Sequence, residues 1–106
     1  KDIEIEFLVG KEASQVSPTD SKAFQTIKEL AEAQNSKNLV TPFLVMGGTD
    51  AYNYEPVCEN IYRFAPFVAD TKLLLCTHGT NDRIPIACCE DAIAFFKRYT
   101  RRMTQD

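Results

Sequence analysis

At 106 residues the chain has room for one modest domain, and its 12 basic and 15 acidic residues leave a net charge of −3. That balance gives no electrostatic footprint for nucleic acid. No stretch approaches the roughly 18 apolar residues that cross a bilayer, and the acidic, alternating start after Lys1 lacks the apolar core and cleavage site of a signal peptide.

Ile3, Ile5, Phe7 and Val9 alternate with Asp2, Glu4, Glu6 and Leu8. A period of two with an acidic face predicts a half-exposed strand. Residues 10–16 are polar and patternless, as in a linker. Ser17-Pro18-Thr19-Asp20 predicts a helix start, with Ser17 as N-cap, Pro18 in the first position and Asp20 reaching back. Ala23, Phe24, Ile27, Leu30 and Ala31 form its buried face, and the helix should end near Asn35.

Leu39–Met46 predicts a strand. Its run Phe43-Leu44-Val45-Met46 does not alternate, which suits a strand covered on both faces. Pro42 cannot donate to a ladder, so the strand starts after it or is irregular there. Asn60–Phe64 and Leu73–Cys76 read as two shorter strands. After Pro85 comes the clearest helix, with an apolar stripe of Cys89, Ala92, Ile93, Phe96, Tyr99 and Met103. Lys97, Arg98, Arg101 and Arg102 in its last turns complement the helix dipole. The order of elements is an α/β pattern. Cys58, Cys76, Cys88 and Cys89 show no metal-binding spacing and read as reduced thiols of a cytoplasmic protein, with a Cys58–Cys76 bridge left open.

Two loops can carry chemistry. Gly47-Gly48-Thr49-Asp50-Ala51 follows a predicted strand, where ligands of open α/β sheets bind. Paired glycines let a backbone approach an anion, and equally make a plain tight turn with Asp50 as the cap of the next element. His78 is the single histidine, in the small, polar stretch Thr77–Asp82. A loop histidine can be a metal ligand, a general base or a solvated bystander.

Gly47-Gly48-Thr49-Asp50-Ala51, then Tyr62-Arg63-Phe64, then His78-Gly79-Thr80-Asn81-Asp82-Arg83-Ile84, then a terminal amphipathic helix, together resemble the C-terminal end of M20 metallopeptidases, in particular the carboxypeptidase S-like and aminoacylase-like branches. With Ser17-Pro18 and the helix holding Phe24, the resemblance spans nearly the whole chain.

It implies an α/β zinc-exopeptidase (phosphorylase/hydrolase-like) catalytic domain with an inserted lid that commonly forms a homodimer. Residues 1–16 would then be the last lid strand plus linker, and residues 17–106 the C-terminal part of the catalytic domain. It also implies two zinc ions, with His78 as the last metal ligand and Asn81 and Asp82 just behind it. Gly47, Gly48 and Thr49 would lie at the substrate carboxylate.

Tyr52 and Asn53 stand where the family often has Arg and a nearby His, and Asp82 replaces its Glu, changes that bear on substrate preference more than on metal. The family's other ligands and its general base have no counterpart here. The expected function is therefore the C-terminal portion of a di-zinc hydrolase that cleaves a peptide or an N-acyl amino acid, inactive alone and partnered by the remainder of its own chain. The alternative is a non-catalytic α/β module that binds a small carboxylate or mediates assembly.

Overall fold

The computed structural model describes residues 2–8, 10 and 12–105; Lys1, Val9 (the end of the expected first strand), Lys11 and Asp106 lie outside them. Helix α1 spans Lys22–Gln34, a 3-10 turn spans Asp50–Tyr54, a short α2 spans Thr71–Leu74, and α3 spans Ala87–Thr104.

No β-strand forms among the described residues, so the expected α/β fold is replaced by a helical one. A strand exists only when a second backbone accepts its ladder bonds, and none of the expected strands meets one. Ile3, Ile5, Phe7 and Leu8 are at least 80% exposed, so the acidic segment is no lid strand here. Phe43–Met46 is irregular and exposed. The apolar run at Leu73 goes instead into α2, because the Asp70 side chain accepts from the Leu73 N–H at 2.9 Å and starts a helical turn.

Helix α1 begins one turn later than the Ser17-Pro18 signal predicts. Ser21 is its N-cap, and its Oγ accepts from the Phe24 N–H at 3.1 Å. Ser17 is occupied elsewhere. Its Oγ donates to the Ile61 carbonyl at 3.0 Å and accepts from the Ile61 N–H at 2.9 Å, so one side chain satisfies both backbone groups of a distant residue. Tyr62 reinforces this joint. Its hydroxyl donates to the Pro18 carbonyl, so its contact with Ser21 Oγ at 2.7 Å has Ser21 donating. The far end of α1 comes where its sequence indicates, at Asn35, and Asn38 Nδ2 donates to the Ala31 carbonyl at 2.8 Å.

The core lies between α1 and α3. Leu30, Ala31 and Phe95 are buried, with Ile27, Val40 and Tyr99 packed around them. Phe95 packs against Phe64 with the rings tilted and their centroids 5.1 Å apart, and Tyr99 lies nearly parallel to Phe95 at 6.4 Å. The buried side of α3 is Cys88, Ala92 and Phe95, which is turned from the predicted stripe: Ile93 and Phe96 are about half exposed. The apolar arc of α3 is wider than the surface α1 offers, so the partner decides which part is covered. Burial pushes the Tyr99 phenol upward, and Tyr62 nearby adds to the shift. An Arg102–Glu29 ion pair ties the two helices at the surface.

The remainder is loosely held. The radius of gyration is 17.5 Å, against about 13 Å for a compact chain of this length. The accessible surface is 9548 Å², against about 6,000 Å² for a folded monomer of this mass. No described helix is long and apolar enough to cross a membrane.

Candidate functional site

The Gly47–Thr49 turn is open. A Cβ placed on Gly47 or Gly48 would meet nothing within 4 Å, and neither glycine has a positive φ. Nothing among the described residues therefore requires glycine there. Thr49, and not Asp50, caps the 3-10 turn, its Oγ1 accepting from the Ala51 N–H at 3.3 Å. The same Oγ1 accepts from Arg63 Nε at 2.9 Å. Arg63 therefore joins the turn from 14 residues away. Its place inside Tyr62-Arg63-Phe64 was legible in the sequence, but its partner was not.

The second loop is locally strained. His78 and Asn81 have positive φ values of 60° and 66°, while Gly79 between them does not. Left-handed backbone in non-glycine residues costs free energy and gathers at functional sites. The Asp82 carboxylate accepts from the His78 N–H at 3.0 Å, and Arg83 donates to the Asn81 carbonyl at 2.7 Å. These bonds hold His78, Asn81 and Asp82 in one turn with the imidazole exposed. No hydrogen bond, ion pair or ring contact directly links residues 47–49 to residues 78–82 among the described residues, so the two predicted site loops stand as separate units.

An apolar cleft of about 310 Å³ opens beside the core, walled by Ile27, Ile61, Phe64, Phe96 and Tyr99. It contains none of the predicted site residues, and its walls belong to the core packing. All four cysteines are free.

The chain is 33% identical over 91 residues to a probable carboxypeptidase S-like 1 of Dictyostelium discoideum, covering 82% of this chain and 18% of the relative. It is 30% identical over 105 residues to carboxypeptidase S of Saccharomyces cerevisiae, covering 92% of this chain and 18% of the relative. The chain belongs to the M20 family. A third M20 relative is an N-fatty-acyl-amino acid synthase/hydrolase PM20D1.1 of Danio rerio, 29% identical over 91% of this chain and 19% of its own length. The chain thus spans less than a fifth of the length of these curated relatives. No family model and no solved structure matches it.

The residues present do not complete the zinc centre that the M20 resemblance implies. Such a site takes about three or four protein ligands. Among the described residues no group of three His, Cys, Asp or Glu side chains is placed to hold a metal. Asp82 is turned back onto its own loop, and His78 offers one imidazole.

Proposed function

We propose that this chain is part of a hydrolase of the carboxypeptidase S type that cleaves the amide bond of a peptide or an N-acyl amino acid, and that it hydrolyses nothing alone. The observation that carries this reading is a pairing. Similarity to carboxypeptidase S takes in 92% of this chain but 18% of that enzyme, and no metal-holding cluster exists among the described residues. The Gly47–Thr49 turn would meet the substrate's carboxylate. His78 would give one ligand to a zinc site completed by residues outside this chain, with the general base outside it too. Residues 1–16 would belong to the lid, through which the whole enzyme would dimerise, and residues 17–106 to the catalytic part.

The first partner is the remainder of the same polypeptide. Phe43, Leu44 and Met46 are 83%, 69% and 97% exposed. Clustered apolar surface of this kind marks a face that another surface covers. Four free thiols suit a reducing compartment such as the cytoplasm.

The experiment is an activity and metal assay on this chain beside the whole enzyme. This chain should turn over no dipeptide or N-acyl amino acid with zinc added. In the whole enzyme, His78→Ala should lose most activity and about one metal ion per protomer. Tight stoichiometric zinc and turnover by the 106 residues, or unchanged turnover in the variant, would overturn the reading.

A further inference from the structure

We propose that Arg63 is the cation that recognises the substrate's carboxylate at the Gly47–Thr49 turn, acting as a pair with the Thr49 hydroxyl. This deepens the reading of that turn as the carboxylate site and rests on it.

The hydrogen-bond capacity of one atom points to this role. A threonine hydroxyl has two acceptor positions and one proton to donate. Thr49 Oγ1 accepts from Ala51 N–H at 3.3 Å and from Arg63 Nε at 2.9 Å. Both acceptor positions are filled, so the hydroxyl is left to donate, to water while the exposed turn is empty and to a carboxylate oxygen when one is seated there. The arrangement therefore fixes Thr49 as a donor.

Arg63 meets Thr49 through Nε, which leaves the two terminal nitrogens of the guanidinium for the parallel pair of bonds that suits a carboxylate. No carboxylate among the described residues forms an ion pair with Arg63. Both Arg63 and Thr49 are exposed. The space over Gly47 and Gly48 is empty to 4 Å, so a ligand can reach the backbone beside the pair. Lysine cannot reproduce this, because it has no planar fork with which to hold Thr49 and the ligand together.

The test titrates the ¹⁵N-labelled 106-residue chain with N-acetylglycine, and with N-acetylglycinamide as the uncharged control, tracking amide and arginine Nε resonances. The acid should shift Gly48, Thr49 and the Arg63 Nε–H, and the amide should not. Arg63→Gln should weaken binding of the acid about tenfold and erase the preference over the amide. Arg63→Lys should keep the preference, since the charge remains, with weaker binding. A role confined to bracing the turn would leave the acid-to-amide ratio unchanged, which would overturn the inference. If the acid binds at the turn equally well in wild type and Arg63→Gln, Arg63 is excluded while the turn stands as the site. If the acid shifts nothing in residues 47–49 of the wild type, the carboxylate reading of the turn fails, and the role of Arg63 fails with it.

Discussion

Phe95 and Phe43 are the same residue type with opposite fates. Phe95 in α3 is 1% exposed, against Leu30 and Ala31 of α1, while Phe43 in the segment after α1 is 83% exposed. Both sit in apolar surroundings in the sequence. Helix α3 satisfies its own backbone and needs a partner for its side chains alone. The segment around Phe43 needs a partner for both backbone and side chains, and finds neither. Apolar patterning thus marks what can be buried, and the availability of a second surface decides what is.

The contrast gives the largest expected effect. Phe95→Ala should destabilise the helix pair by about 3–5 kcal/mol, read as lost helical signal in thermal or urea unfolding. Phe43→Ala should stay within about 0.5 kcal/mol. Similar losses at both positions would mean that the Phe43 segment is packed in solution, and the contrast would collapse.

A smaller effect sharpens the boundary between the ordered and loose regions. Ser17 is the peg that holds Ile61 beside α1. Ser17→Ala leaves both Ile61 backbone groups unpaired and should cost about 1–3 kcal/mol. A serine at the surface with no partner would cost almost nothing to replace, so the loss tests the Ser17–Ile61 pairing.

The smallest effect probes the His78 loop. Asn81 is left-handed and Gly79 is not. Asn81→Ala should therefore cost about 1 kcal/mol. Gly79→Ala, whose Cβ would sit an ordinary 3.4 Å from the Cys76 carbonyl oxygen, should instead stabilise by about 0.5 kcal/mol. Matched unfolding curves would show opposite shifts. The reverse pattern would mean that the loop turns on its glycine.

Much of the candidate site was legible because it lies in contiguous motifs. Gly47–Thr49 and His78–Asp82 stood out as loops, and their M20 resemblance agrees with the relatives found. The role of Arg63 is not legible there, because its bond to Thr49 crosses 14 residues and leaves no periodic trace. The cap of α1 lies at Ser21 and not at the expected Ser17 for a related reason. Ser17 and Ser21 are both competent caps, and the choice turns on which hydroxyl Ile61 and Tyr62 engage.

The sequence by itself determined the two long helices and the end of α1, since their bonds run between residues four apart and their apolar spacing is local. It also determined the family, through the order of its motifs. Tertiary structure alone decided that Phe95, and not Ile93 or Phe96, enters the core, and that Ser17 serves Ile61. It alone decided that Leu39–Met46 gains no ladder. Each of these depends on a surface distant along the chain, and a pattern of residue types carries the demand for such a surface without saying whether one is there.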